Sequence, residues 1–157
     1  MLAPRVQALE ATFRHIAATR MAGLPLVHPR LSVQAVDFGI EPDSDGHPAA
    51  PGRIVTGVLV TPWFMNLVRL PLQAAAAAAL PAPGQAAEHS FNGWSFQFLG
   101  HEEAGLGRFA AASLVSPMSE FADQPAAVAT ARALLERLRP RPARRGFLFG
   151  AGRAAAG

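Results

Sequence analysis

The fold of this chain is decided by residues 53–70, which read RIVTGVLVTPWFMNLVRL. The first nine of these residues are mostly β-branched or apolar, which is typical of a buried strand. Pro62 then bends the chain, and residues 66–70 form a second apolar run. Because a tight bend brings the flanking strands side by side, we expect the two runs to pair as an antiparallel hairpin.

Helical patterns lie near the two ends of the chain. Leu9, Phe13 and Ile16 recur at spacings of three and four, which predicts an amphipathic N-terminal helix. Asp123 is a suitable cap for a second helix, because apolar residues recur at helical spacing from there until Pro140. Helices are therefore expected on both sides of a central β region.

Further elements complete the predicted fold. We predict strands at residues 31–38, 94–98 and 109–115, and a short helix at residues 73–80. This element order predicts an α+β domain, a two-layer sandwich with an antiparallel sheet of four to five strands flanked by N- and C-terminal helices. We assign residues 1–140 to this single domain, and residues 141–157 to an Arg/Gly-rich tail that we expect to be partly mobile.

Composition excludes several classes of chemistry. The chain has no Cys, Lys or Tyr, which excludes disulfides, thiolate metal sites, Cys nucleophiles and Schiff-base lysines. Its net charge is only +3, and residues 1–131 hold seven Arg against ten acidic residues, so we expect no nucleic-acid partner. No apolar run reaches the length of a membrane span, and no secretory signal is recognisable, so we expect a cytoplasmic protein.

Motifs for catalysis and metal binding are weak. The spacing of the five His residues fits no helical or loop zinc site, and the chain lacks both a Gly-x-Ser-x-Gly motif and a phosphate-binding glycine loop. We therefore predict no catalytic residue, no cofactor and no enzymatic activity. A metal-carrying accessory protein or enzyme that uses His28, His89 and His101 stays open as an alternative.

Two segments have residue patterns that an ordinary globular domain does not need. Trp63, Phe64 and Met65 follow Pro62 directly, and they either plug one end of the core or form an apolar patch for a peptide or protein. Residues 144–149 read Arg-Arg-Gly-Phe-Leu-Phe, and residues 132–157 together carry seven Arg against one acidic residue. That tail is either a solvated basic segment or a contact for an anionic partner.

A family resemblance covers the chain from about residue 13 to residue 150. The segments that carry it are Leu24-Pro25, His28-Pro29, Val36-Asp37-Phe38, residues 57–65, Ser116-Pro117-Met118 and residues 144–150. In these segments and their order the chain resembles the HybE-like nickel-iron hydrogenase assembly chaperones of bacteria, relatives of which are called HoxT and HupJ. The strand that ends in Thr-Pro-Trp and the Arg-Arg tail are together fairly specific.

The resemblance implies a function by binding. It implies a cytoplasmic accessory protein, with a fold like that of secretion chaperones, that holds an immature hydrogenase subunit and delays twin-arginine export until assembly is complete. The implied client is the hydrogenase small-subunit precursor or its twin-arginine signal peptide, with the large-subunit precursor as a second candidate. Some relatives carry or work beside a rubredoxin, whose iron needs four Cys, and this chain has no Cys.

The resemblance also suggests where a client would bind. The positions expected to contact it are Pro62, Trp63, Phe64, Met65, Asn66, His28, Asp37, Phe38, Arg144, Arg145, Phe147, Leu148 and Phe149.

The tail supports a separate hypothesis, because residues 144–148 spell the Arg-Arg-x-Phe-Leu form of a twin-arginine signal without its apolar segment. The tail would occupy the signal-binding groove as a pseudo-ligand, beside an acidic patch formed by Asp37, Glu41, Asp43 and Asp45. Truncation after Pro142 should then tighten the binding of a client signal peptide.

Overall fold

The hairpin predicted from residues 53–70 forms the centre of the fold. In the computed structural model, which describes residues 2–41 and 53–139, strand β2 (Ile54–Val60) is buried along its whole length. It pairs antiparallel with β3 (Met65–Pro71), and the pair Val60 and Met65 closes a loop of four residues. The predicted hairpin is therefore confirmed.

Six strands make up one antiparallel sheet around this hairpin. The remaining strands are β1 (Gln34–Ile40), β4 (Ala86–Phe91), β5 (Trp94–Glu103) and β6 (Gly107–Val115), and the order across the sheet is β1-β2-β3-β6-β5-β4. Helix α1 (Leu2–Ala18) precedes the sheet, and helix α2 (Gln124–Leu138) follows it. A 3₁₀ helix (Ala74–Ala79) connects β3 to β4.

The two helices cover opposite faces of the sheet. Leu9 of α1 packs in a core with Val55 and Leu59 of β2. The alternate β2 residue Val58 packs on the other side with Leu135 of α2. Successive side chains of a strand point to opposite faces, so a strand that is buried at every position contributes to both cores.

The predicted fold class is confirmed, with differences in detail. The sheet has six strands rather than four to five, because β4 was not recognised from its sequence. The helices do not share a face, so the sheet is the middle of three layers rather than one of two. The segment predicted as a short helix at residues 73–80 is a 3₁₀ helix.

The helix signals act as expected. The carboxylate of Asp123 accepts a hydrogen bond from the amide of Ala126 at 3.1 Å, which satisfies one free amide of the first turn of α2.

Neither α1 nor α2 has the length and apolar character of a membrane span, and these are the α-helices that the described ranges contain. The predicted tail at residues 141–157 lies outside the described residues, so the domain boundary at residue 140 stays a prediction.

Candidate functional site

A cleft opens on the α1 face of the sheet, next to the loop between β2 and β3. It has a volume of about 240 Å³, and we call it the aromatic cleft. Its walls are the C-terminal half of α1, the β2–β3 loop and the α1-side face of β2, β3, β5 and β6. The residues that line it are Phe13, Ile16, Arg20, Leu59, Trp63, Phe64, Asn66, Val68, His101, Glu103, Phe109 and Ala111.

Thr61 gives the β2–β3 loop a fixed shape. Its hydroxyl accepts hydrogen bonds from the amides of Trp63 at 3.2 Å and Phe64 at 3.0 Å. The amide of Thr61 donates to the carbonyl of Phe64 at 2.9 Å, which closes the loop. Since these bonds fix the backbone at both aromatic residues, the loop presents them in one arrangement.

The two aromatic residues of the loop differ in exposure. Trp63 is only 8% exposed and packs in the α1-side core, whereas Phe64 is half-buried. Phe64 makes edge-to-face contacts with Trp63 at 5.6 Å and with Phe13 at 5.8 Å between ring centres. Of the two alternatives left open by the sequence, Trp63 fits the core plug, whereas Phe64 keeps part of its side chain exposed, so an apolar patch for a peptide or protein stays a prediction there.

Met65 and Pro62 do not face the aromatic cleft. Met65 has no exposed surface and packs in the α2-side core, because it is the first residue of β3 and points to the opposite face. Pro62 is buried, and its carbonyl accepts a hydrogen bond from the amide of His28 at 2.8 Å. Asn66 is half-buried and lines the cleft. Of the five expected contact positions at residues 62–66, the structure thus brings Trp63, Phe64 and Asn66 to one site.

His28 is held by hydrogen bonds at both ring nitrogens. Its Nδ1 accepts from the amide of Arg30 at 3.1 Å, which leaves Nε2 to donate to the carbonyl of Phe121 at 2.7 Å. These bonds tie the loop after α1 to the segment before α2. His28 therefore has a structural role here and lies outside the aromatic cleft.

Asp37 and Phe38 also lie away from the cleft. Asp37 adopts a positive φ of 49° at a bulge in β1, and its carboxylate pairs with Arg132 of α2 at 3.4 Å. The ring of Phe38 lies over Gly57, where an added Cβ would come within 2.4 Å of a ring carbon. Asp37 thus connects β1 to α2, and Phe38 packs β1 against β2, so both residues have a structural role that does not depend on a client.

The acidic patch proposed for the tail is partly occupied. Glu41 accepts hydrogen bonds from Nε and Nη2 of Arg69 at 2.7 and 2.9 Å, and it also binds the hydroxyl of Thr56. Asp37 pairs with Arg132 as described above. Asp43 and Asp45, together with the tail positions Arg144, Arg145, Phe147, Leu148 and Phe149, lie outside the described residues.

The rim of the aromatic cleft is charged. Glu103 at the end of β5 pairs with Arg20, and its carboxylate oxygens lie 2.6 and 3.3 Å from two guanidinium nitrogens. The Arg20 side chain is 61% exposed and that of Glu103 is 21% exposed. Because one partner is in solvent, this pair is held weakly and can be exchanged.

His101 lines the aromatic cleft next to this charged rim. Its ring stacks on Phe109 at 5.2 Å between centres, and burial lowers the pKa of the imidazole, against the opposing effect of the Glu103 charge. His101 and Phe109 are directly paired across β5 and β6. Sequence reasoning missed this contribution because the predicted strand ended at residue 98, whereas β5 continues to Glu103.

The three His residues of the metal alternative are separate. His89 packs with Phe91 and Phe98 on the α2 face, His101 stacks on the α1 face, and His28 is bonded to a loop carbonyl. Within residues 2–41 and 53–139, no three His, Cys, Asp or Glu side chains form a group that could hold a metal ion.

Comparison with known proteins identifies the family. The sequence model of the family described as [NiFe]-hydrogenase assembly, chaperone, HybE matches residues 4–155, which is nearly the whole chain. The chain belongs to this family. The resemblance noted in the sequence is thereby confirmed for the HybE family.

Relatives of the HybE family support the assignment. The chain is 41% identical to Protein HoxT of Cupriavidus necator, over 93% of this chain and 88% of that protein. It is 39% identical to the hydrogenase expression/formation protein HoxT of Azotobacter vinelandii, over 90% of this chain and 88% of that protein. The solution structure of HybE from Escherichia coli has the same fold, with a TM-score of 0.58 and 21% identity over 97% of this chain and 91% of that one.

Proposed function

We propose that this chain binds an immature subunit of a nickel-iron hydrogenase in the cytoplasm and holds it until assembly is complete. The client is the small-subunit precursor, contacted through its twin-arginine signal peptide, with the large-subunit precursor as the second candidate. Membership of the hydrogenase assembly chaperone family supports the class of client. The observation that carries the site is the aromatic cleft beside the β2–β3 loop.

The cleft suits an extended segment with an apolar side chain next to a positive charge. Phe64, Phe13 and Ile16 supply an apolar wall, and aromatic side chains contribute strongly at protein interfaces. Glu103 places a carboxylate at the edge of that wall. An arginine two residues before a phenylalanine, as in the Arg-Arg-x-Phe-Leu form, matches this combination, because residues i and i+2 of an extended chain point to the same side.

Arg20 acts in this proposal as an internal competitor. It already occupies the carboxylate of Glu103, so a client guanidinium must displace it. The exchange replaces one ion pair by another, and its free energy therefore depends mainly on the apolar contacts that the client adds. The cleft therefore selects an arginine with an apolar residue two positions after it.

The tail at residues 144–149 adds a second proposed competitor. If Arg144 and Arg145 act as a pseudo-ligand, they compete with Arg20 for Glu103 or with Arg132 for Asp37, since both of these pairs have an exposed arginine, whereas Glu41 holds the buried Arg69. Truncation after Pro142 is then expected to tighten client binding. Weaker binding after truncation would instead make the tail a direct contact.

The test is calorimetric titration of the full chain with a synthetic signal peptide of the host's hydrogenase small subunit. Phe64→Ala should weaken binding about tenfold, the effect of losing a central aromatic contact. Trp94→Ala is the matched control, because Trp94 is an exposed aromatic, 53% accessible, on the opposite face of the sheet. It should bind as the wild type does.

Charge variants at the rim sharpen this test. Glu103→Gln should weaken binding, whereas Arg20→Ala should strengthen it, since the first removes the acceptor and the second removes its competitor. If both variants changed the affinity for the signal peptide in the same direction, the proposed displacement of Arg20 from Glu103 would be contradicted. If neither the signal peptide nor co-purified hydrogenase precursors bind the wild-type chain, the proposed function is wrong.

A further inference from the structure

A second cavity lies at the opposite end of α1 and shares no lining residue with the aromatic cleft. Its volume is about 420 Å³, and it is enclosed by the first turns of α1, the end of β3, the 3₁₀ helix and the β5–β6 turn. Two guanidinium groups, of Arg5 and Arg108, line it together with a single carboxylate, that of Glu102. A volume of this size is in the range of small-molecule sites.

Arg108 lines this cavity, and its side chain carries an unsatisfied donor. Its Nε is buried and has no hydrogen-bond partner in the part of the chain that the structure describes. Glu102 is its cross-strand partner, yet no ion pair between the two is found among the described residues. A buried donor without an acceptor is unfavourable, and a side-chain rotation that brings Nε to an acceptor in the cavity would remove that cost.

Arg5 is held in place at the side of the cavity. Its Nε donates to the carbonyl of Pro71 at 2.9 Å, and its Nη1 donates to the carbonyl of Leu106 at 3.0 Å. These bonds fix the guanidinium without neutralising its charge. They leave the Nη2 donors of Arg5 unused within the described residues.

The charges and the apolar lining together define the ligand. Two arginines and one glutamate give the cavity a net charge of about +1 before a ligand binds. Leu72, Ala77 and Leu106 supply an apolar wall beside these charges. A monoanion with a hydrocarbon body fits this lining better than inorganic phosphate does, since phosphate carries more charge and no apolar group.

We propose that this cavity binds a carboxylate attached to a short apolar group, with the fork of Arg108 holding the two carboxylate oxygens and Arg5 adding a second positive charge. A guanidinium and a carboxylate form two parallel hydrogen bonds, and these satisfy Nε once the Arg108 side chain turns it toward the cavity. The carboxylate comes either from a small organic acid or from the C-terminal residue of a polypeptide. This site is independent of the client cleft.

The experiment titrates the full chain with 4-methylpentanoate and follows amide chemical shifts and binding heat. Its amide, 4-methylpentanamide, is the uncharged control. The wild-type chain should bind the acid with shifts at residues 71–77 and 102–108 and bind the amide at least about tenfold more weakly, as expected for loss of a charge-assisted pair. Equal binding of acid and amide would overturn the proposal, as would no binding of the acid.

Variants test the role of Arg108. Arg108→Met should weaken acid binding about tenfold to a hundredfold, and Arg14→Met should not change it, because Arg14 is an exposed arginine of α1 outside the cavity. Arg108→Lys keeps the charge without the fork and should lose about three- to tenfold, which serves if Arg108→Met does not fold. Unchanged binding by a folded Arg108 variant contradicts the proposal.

Two further probes separate the sources of the carboxylate. N-acetyl-leucine and a hexapeptide that ends in leucine carry the same carboxylate and side chain. A peptide that binds at least as tightly as N-acetyl-leucine, and loses binding when its C-terminus is amidated, identifies a polypeptide terminus. A peptide that binds more weakly identifies a small acid. Client peptide binding by Arg108→Met should equal that of the wild type, which keeps this test separate from that of the proposed function.

Discussion

Two partly buried histidines on opposite faces of the sheet are hard to protonate. Burial lowers the pKa of His101, and the charge of Glu103 only partly offsets this effect. Burial also lowers the pKa of His89, with a smaller effect in the same direction from Arg69 and an opposing effect from Glu41. Both residues thus favour the neutral imidazole in the folded chain.

These shifts predict a loss of stability in mild acid. In the unfolded chain each histidine titrates near the ordinary value of 6.5, above its folded pKa. The unfolded state therefore takes up more protons as the pH falls through 6.5, and the free energy of unfolding decreases there. Urea unfolding at pH 7.5 and 5.5 should show this decrease.

The control for this prediction is the double variant His89→Gln, His101→Gln. Its free energy of unfolding should depend less on pH over the same interval, since both shifted groups are removed. A wild-type chain that becomes more stable between pH 7.5 and 5.5 would show that other groups dominate the titration.

At the scale of elements, a short segment after the 3₁₀ helix crosses over β5 at Gly100. The amide of Gly84 donates to the carbonyl of Gly100 at 3.0 Å, and the amide of Gly100 donates to the carbonyl of Gln85 at 2.8 Å. A Cβ on Gly100 would lie 2.2 Å from the carbonyl oxygen of Ala82 and 2.3 Å from that of Pro81. Only glycine permits this approach, because backbone atoms cannot move aside as a side chain can.

Gly100→Ala is therefore expected to destabilise the chain by about 1–3 kcal/mol, the usual cost of forcing an extra methyl group into a packed site. The amide of Gly84 should lose protection from hydrogen exchange, since its acceptor is displaced. Gln97→Ala on the same strand is exposed and should change stability by less than about 0.5 kcal/mol. Unchanged protection at Gly84 would contradict the close contact.

Elements were predictable where their side chains are buried in a regular pattern. β2 was predictable because its residues are mostly β-branched or aliphatic, and the structure buries every residue from Ile54 to Val60. β4 is an edge strand with mostly exposed residues, so its sequence carries no apolar alternation and it was missed. The Asn92-Gly93 turn was recognised, but the strand before it becomes visible only through its pairing with β5.

At the scale of the whole molecule, the sheet joins two separate apolar cores. Leu9 lies in the α1-side core and Leu135 in the α2-side core, and they are 0% and 2% exposed. The strands that divide the cores contribute side chains to both. The two faces should therefore unfold together.

Leu9→Ala and Leu135→Ala test this coupling. Each should lower the free energy of unfolding by about 2–5 kcal/mol through lost burial and a cavity. Both variants are made in a Trp94→Phe background, so that the fluorescence reports Trp63 of the α1-side core. Its midpoint should shift in both variants, in step with far-UV circular dichroism. A Leu135→Ala chain whose fluorescence midpoint equals that of the wild type would show that the two faces unfold separately.

Residue patterns alone predict the central hairpin, the two terminal helices, the α+β class and the family. These follow from local properties, namely side-chain periodicity, caps, turns and short residue patterns, and residues close in the chain are enough to specify them. The sequence also pointed to Trp63 and Phe64, without deciding whether they face the core or solvent.

Only the tertiary structure decided what surrounds those residues. At the aromatic cleft the pair Arg20 and Glu103 connects the turn after α1 to β5, although the two residues are distant along the chain. The second cavity likewise depends on Arg5 and Arg108 meeting at one end of the sheet. Such contacts are set by strand order and by the face that each helix covers, and both arise from long-range packing that no local pattern encodes.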